Sequence, residues 1–215
     1  MIPDWETERR AMVETQIRRR GIRNPRVLRT MAEVPREEFI PAEARVQAYR
    51  DEPVPIGGGQ TISQPYITAL MAEALELTGR ESVLEVGAGC GYAAAVLGAL
   101  ADHVVTVEIV PSLAHMAREN LRRTGRDGNV EIVLGDGSWG YAQRAPYDAI
   151  SVAAAAPDIP HSLLEQLHDP GVLVIPVGDR IDQELLVVHK QQGRIEKRVA
   201  TLCRFVPLRG GEGWN

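Results

Sequence analysis

The sequence predicts an α/β protein: a doubly wound, mostly parallel seven-stranded Rossmann-like sheet with an antiparallel edge hairpin and an N-terminal helical extension. Three observations carry this. From residue 82 onward, short β-branched apolar runs alternate with helix-period segments, beginning "SVLEV", "GYAAAVLGAL", "HVVTVEI". Such alternation implies βαβ crossovers and a sheet covered on both faces. The first run ends in a glycine-rich turn, "EVGAGCGY", and residues 1–80 lack the alternation, reading instead as helix and loop. The 215 residues suit one domain, with 1–80 as the extension and 81–215 as the α/β core.

Element by element, Trp5, Met12, Val13 and Ile17 make a loose helical stripe ahead of Gly21. In "NPRVLRTMAEV", Asn24 is an N-cap and Pro25 the first helical residue. The Pro- and Gly-rich stretch up to Gly59 reads as a wrapping loop. From Gln64, residues Ile67, Leu70, Met71, Ala74 and Leu75 form one helix face that ends near Gly79. Strands follow at 82–86, 103–109, 129–135, 147–153, 171–178, 183–190 and 194–206, with helices at 91–100, 112–125 and around 161–167. Only "QQGR" separates the last two strands, which predicts an antiparallel edge hairpin.

Composition narrows the class. Hydrophobic residues are 44% and charged residues 25%, ordinary for a globular chain. No apolar run reaches the roughly 18 residues of a membrane span, and "MIPDWETERR" has no basic segment leading into an apolar one. A cytoplasmic protein with no membrane association is expected. Cys90 and Cys203 stand far apart outside any CxxC pattern, so no metal site is predicted. A net charge of -5 argues against nucleic acid as a partner, and the basic run Arg18 to Arg26 reads as a solvated helix end.

A doubly wound sheet binds its ligand at the carboxyl ends of its strands, where strand order reverses. The turn after the first core strand carries Glu85, Gly87, Ala88, Gly89 and Gly91. Glycines there permit a tight turn and close backbone approach, and the helix start behind them offers free N–H groups. The dinucleotide pattern G-x-G-x-x-G would require glycine where Tyr92 stands, which disfavours NAD. Glu108 ends the next strand, 21 positions after Gly87, where an acid can accept from two ribose hydroxyls. Asp136 and Gly137 end the third; a carboxylate and an N–H there can meet a base edge. A carboxylate-binding turn, a ribose acid and an adenine reader on consecutive strand ends are the requirements for S-adenosyl-L-methionine. Ser63, in "GGGQTISQP", reads locally as an N-cap before the helix that follows.

"LEVGAGCGYAAAVL" resembles the glycine motif of class I S-adenosylmethionine-dependent methyltransferases. "VPREEFIP", "GQTISQPYITALM", "GDGSWGYAQRAPYDAISVAAAAPDIP", "VLVIPVG" and "RFVPLRGGEGW" are similar to the protein-L-isoaspartate O-methyltransferases, over about residue 8 to the C-terminus. The resemblance implies methyl transfer to the free carboxylate of isoaspartyl residues in damaged proteins and peptides, starting their repair. By position it implies that Thr61, Ile62, Ser63 and Gln64 line the active site against the cofactor, with Ser63 the catalytic residue. It implies that Glu85, Gly87, Ala88, Gly89, Glu108, Asp136 and Gly137 bind the cofactor, and that residues 1–80 include the substrate loop. Two departures stand out: "LHDPG" where relatives carry Lys-Pro-Gly-Gly, and Gly58 where many carry a bulky residue. Two other readings stay open from sequence: a methyltransferase for another acceptor, disfavoured by "SVAAAAP" in place of an Asn/Asp-Pro-Pro-aromatic loop, and a non-catalytic cofactor-binding module.

Overall fold

A computed structural model describes residues 4–214. Helix α1 (Trp5–Met12) starts at Asp4, whose carboxylate accepts from the Thr7 N–H at 3.3 Å and hydroxyl at 2.7 Å. The helix continues through a π turn (Val13–Ile17) and a 3-10 turn (Arg18–Arg20) to Gly21, whose φ of 106° ends it. Helix α2 (Pro25–Glu33) begins as its sequence predicts, with Asn24 Oδ1 accepting from the N–H groups of Arg26 and Val27. Met12, Ile17 and Met31 are essentially fully buried, each worth about 2 kcal/mol of apolar burial, which fastens the extension to the core.

The segment expected as a wrapping loop contains a two-stranded antiparallel ribbon, β1 (Val54–Gly57) and β2 (Gln60–Ile62), turning at Gly58 and Gly59. Helix α3 (Pro65–Ala74) follows, its N-cap position held by Gln64 rather than Ser63. Neither side chain caps it; Ser63 stands one residue outside. The helix also stops short of Gly79, at Ala74, and the chain turns through Glu76 at φ 56°.

The core alternates β3 (Ser82–Val86), α4 (Tyr92–Gly98), β4 (His103–Glu108), α5 (Pro111–Arg123), β5 (Val130–Leu134), β6 (Tyr147–Val152), α6 (His161–Gln166), β7 (Leu167–Gly178), β8 (Gln183–Gln191) and β9 (Arg194–Cys203). The sheet order is β5-β4-β3-β6-β7-β8-β9, parallel from β5 to β7 and antiparallel at β8 and β9. Both faces are buried: Val83, Val104, Ala149 and Val174 face one apolar cluster, Leu84, Val105, Ile150 and Leu173 the other. The chain leaves β3 toward β4 and returns on its other side as β6, so the strand-order reversal lies at β3.

The basic run is only partly solvated. Arg26 donates to the carbonyls of Leu77 (2.8 Å) and Leu100 (3.0 Å), satisfying acceptors just beyond the ends of α3 and α4. Of the departing "LHDPG" residues, Asp169 accepts from the N–H groups of Gln192 and Gly193, bracing the β8–β9 turn far from the strand ends. Among the described residues no helix is long and apolar enough to cross a membrane, and no cluster of three or more His, Cys, Asp or Glu is placed to hold a metal ion.

Candidate active site

The carboxyl ends of β3, β4 and β6 open into a cleft with about 830 Å³ of atom-free space, its open mouth included. Its floor is the turn Gly87 to Cys90, which ends at Gly91. Gly91 caps α4 at φ 87°, and a Cβ there would lie 3.2 Å from the backbone of Ala117 on α5; glycine is needed for both conformation and helix packing. A Cβ on Gly89 would lie 3.3 Å from Ile56 Cδ1, so glycine keeps the turn low beneath the cleft.

Glu108, 5% exposed, lines the cleft at the last position of β4. Its Oε2 accepts from the Gly89 N–H at 2.8 Å and its Oε1 from the Val110 N–H at 2.9 Å. Each oxygen keeps a lone pair, and the two bonds lock the carboxylate in one orientation. From the opposite wall β2 and the turn after it bring Gln60, Thr61, Ile62 and Ser63. The Ser63 hydroxyl has no hydrogen-bond partner among the described residues, whereas its carbonyl accepts from Arg36 Nη2 at 2.7 Å.

Of the sequence candidates, Thr61, Ile62, Ser63, Gly87, Ala88, Gly89, Glu108 and Gly137 line this one cleft. Three do not. Gln64 lies in an adjoining groove with Thr61, Ser63, Arg20 and Leu202 to Val206. Glu85 lies behind the cleft, 0% exposed, in a small separate cavity with Ser63, Thr68 and Ser151. Register puts Glu85 level with Thr106 on β4 and Ser151 on β6, a polar row across three central strands. Thr106 Oγ1 donates to Glu85 Oε2 at 2.5 Å, and Oε1 has no protein partner. Burial, joined by the charge of Glu108, pushes the Glu85 carboxyl up to about 8, against the lowering bond from Thr106.

Asp136 is occupied. Its Oδ1 accepts from the N–H and hydroxyl of Ser138, and its Oδ2 from the Gly211 N–H at 2.9 Å. With Ser138 Oγ accepting from the Glu212 N–H, and Glu212 accepting from Ser162, this clasps the C-terminal segment. The clasp brings Val206, Pro207, Leu208 and Arg209 to the cleft as a third wall. Sequence reasoning assigned these four no role, although "VPLRGGEGW" was visible; Gly211 packs where a Cβ would lie 2.5 Å from the Trp139 ring, which marks the segment as folded against the core.

A doubly wound sheet with a glycine turn on β3, a carboxylate oriented by backbone N–H groups on β4 and an apolar third wall defines the class I methyltransferase fold. The family model for Protein-L-isoaspartate(D-aspartate) O-methyltransferase (PCMT) matches residues 7–213, and the chain belongs to that family. It is 53% identical over 208 residues to a protein-L-isoaspartate O-methyltransferase of Methanoregula boonei, covering 97% of this chain and 95% of that one. It is 52% identical over 208 residues to that of Methanoculleus marisnigri, covering 97% and 94%. Among solved structures, a protein-L-isoaspartate O-methyltransferase beta-aspartate methyltransferase from Plasmodium falciparum, in complex with S-adenosyl-L-homocysteine, matches with TM-score 0.78 at 28% identity over 94% of this chain and 98% of that one. A further solved protein-L-isoaspartate O-methyltransferase gives 0.82 at 28% identity; the chain covers 66% of its length.

Proposed function

We propose that the protein methylates the free carboxylate of L-isoaspartyl residues in damaged proteins and peptides, using S-adenosyl-L-methionine. The single observation carrying this is the unpartnered Ser63 hydroxyl on the wall opposite the oriented Glu108, within a cleft whose chain belongs to the isoaspartate methyltransferase family. The cofactor fits the residues present: glycine floor, lone pairs on Glu108 for a vicinal diol, apolar walls from Ile109, Val110 and Leu208. When bound it supplies an electrophilic methyl group on a sulfonium. Glu108 would hold the ribose, Gly87 to Gly89 would receive the amino-acid end and Gly137 would meet the base, with Thr61 and Ile62 on the opposite wall and Gln64 in the adjoining groove.

The acceptor carboxylate, with an ordinary pKa of about 3.5 to 4, is ionised at neutral pH and needs no general base. The chain's work is orientation. Ser63 donates one hydrogen bond to the carboxylate, fixing its angle without adding a charge that would hold it too firmly. Glu85 contributes from behind the cleft as a buried acid in the polar row, not as a direct contact. Asp136 contributes by holding the third wall. The acceptor is a polypeptide, with no nucleic-acid or membrane role, and the two parts of the chain, 1–80 and 81–215, act as one folding unit.

The test uses labelled cofactor with matched isoaspartyl and aspartyl peptides. Base-labile methyl ester forms on the isoaspartyl peptide alone; equal labelling of both, or of neither, refutes the reading. Ser63→Ala lowers kcat about 10- to 100-fold, the range for lost orientation, and full turnover at unchanged KM would remove Ser63 from this role.

A further inference from the structure

Arg36 is 0% exposed and forms no ion pair among the described residues. Its Nε donates to the Ala48 carbonyl at 2.7 Å and its Nη2 to the Ser63 carbonyl at 2.7 Å. Nη1 has no protein partner, and the guanidinium lies 4.9 Å from the centroid of the Tyr92 ring, which stacks edge-on with Phe39. Burial without a counter-charge drives the Arg36 pKa down. A buried guanidinium without a counter-charge carries a desolvation cost that packing alone would not require.

What the guanidinium holds explains its presence. The ribbon fixes the chain up to Ile62, which pairs with Val54. Pro65 at the start of α3 restricts Gln64 to extended backbone, as observed at φ -56°, ψ 149°. Ser63 is thus the one residue between two fixed ends, and pinning its carbonyl fixes ψ and with it the direction of the Cα–Cβ bond that carries the hydroxyl to the cleft. Arg36 fixes that carbonyl with one arm of a planar fork while the other arm is anchored on Ala48. The fork rests on Tyr92, the first residue of α4 behind the glycine turn. One side chain therefore spans the turn that holds the acceptor and the helix behind the turn that holds the cofactor.

We propose that Arg36 is a positioning residue for methyl transfer, holding the Ser63 hydroxyl at its angle in the cleft through the Ser63 carbonyl. The inference rests on the role of Ser63 given above. It is tested with Arg36→Lys, which keeps the charge but loses the fork, and Arg36→Met, which removes the charge at similar volume and leaves the Ala48 and Ser63 carbonyls without their donor; rates are read on variants that thermal unfolding shows to be folded. Both are combined with Ser63→Ala in a double-mutant cycle. Readouts are kcat and KM on an isoaspartyl peptide, S-adenosyl-L-homocysteine affinity by calorimetry, and thermal unfolding.

Each arginine variant lowers kcat about 10- to 100-fold, while KM for the peptide and affinity for S-adenosyl-L-homocysteine move less than about threefold. In the Ser63→Ala background the same substitution costs less than about threefold, because both act on one contact. A folded arginine variant with kcat within about twofold of wild type overturns the proposal. So does a full, multiplicative loss on top of Ser63→Ala, the signature of independent sites. If Ser63→Ala alone keeps wild-type turnover, the Ser63 role itself falls and this inference with it; an impaired Ser63→Ala beside an unimpaired arginine variant sinks the inference alone.

Discussion

Glu85→Gln separates a structural from a cofactor-binding role for the buried acid. Burial, the largest cause, with the nearby charge of Glu108 raises the Glu85 carboxyl from 4.5 to about 8, the Thr106 bond pulling the other way. In the unfolded chain the group ionises at about 4.5; in the fold it stays neutral up to about 8. The folded state therefore binds the extra proton in between. The stability this contributes is fully present below about pH 4.5 and is lost progressively as pH rises toward about 8, at about 1.4 kcal/mol per pH unit. Glutamine cannot titrate and keeps a carbonyl for Thr106 Oγ1. Urea unfolding of the cofactor-free protein at about pH 5 and about pH 7.5 then shows the variant gaining on wild type by on the order of 3 kcal/mol across that interval. Whatever constant offset the amide brings at the orphaned Oε1 position cancels in this difference. Parallel stability profiles, agreeing within about 0.5 kcal/mol at both pH values, would show that Glu85 is not held neutral and refute the reasoning.

Three further perturbations have defined outcomes. Gly137→Ala places a Cβ 2.7 Å from Val86 Cγ1 and 3.4 Å from Val107 Cβ, both on buried strand valines with little room to move; unfolding free energy falls by about 1–3 kcal/mol and S-adenosyl-L-homocysteine affinity drops in calorimetry. Asp136→Asn weakens the clasp on the C-terminal segment. Burial raises the Asp136 pKa, but bonds from Ser138 and Gly211 outweigh it and the net shift is downward, so the clasp holds through the usual carboxylate range and loosens only as pH falls below it. The variant is cut faster by carboxypeptidase at neutral pH than wild type, and equal cutting rates would count against the clasp. Tyr49→Phe removes a hydroxyl that donates to Glu37 and accepts from Arg9 Nε at 2.9 Å; with Glu37 nearly buried, chemical denaturation registers a loss of about 1–3 kcal/mol.

The core was legible because its strands are continuous apolar runs bounded by glycine turns, and two buried faces leave no alternation to confuse with helix. Residues 54–62 were not. β1 has four residues including Pro55, and β2 has three; neither is long enough to show a period, and proline and glycine there read as loop. The N-cap reading of Ser63 failed for a related reason. Pro65 takes the first helical position, which puts Gln64 and not Ser63 at the N-cap, a shift of one residue that a short segment flanked by proline does not announce. What Ser63 offers instead is its carbonyl to Arg36, a contact 27 positions away in sequence that no local pattern announces.

The spacing in the sequence marked Glu108 as the ribose acid, whereas Glu85 entered only with the glycine turn that it precedes. Register separates them. Glu85 pairs with Thr106, two residues before Glu108 on β4, and since side chains repeat every two residues the two acids share one face of the sheet. At roughly 3.3 Å per residue, Glu85 sits about 7 Å deeper than Glu108 along the strand direction. The same alternation that puts both on the cofactor side thus puts one at the rim and one beneath the turn. Glu108 meets backbone N–H groups and the open cleft; Glu85 meets Thr106, Ser151 and the underside of the helix starts. The strand pairing that fixes this depth comes from packing across β3, β4 and β6. Substitution at the two positions should therefore diverge: at Glu108 in cofactor affinity, at Glu85 in the pH dependence of stability.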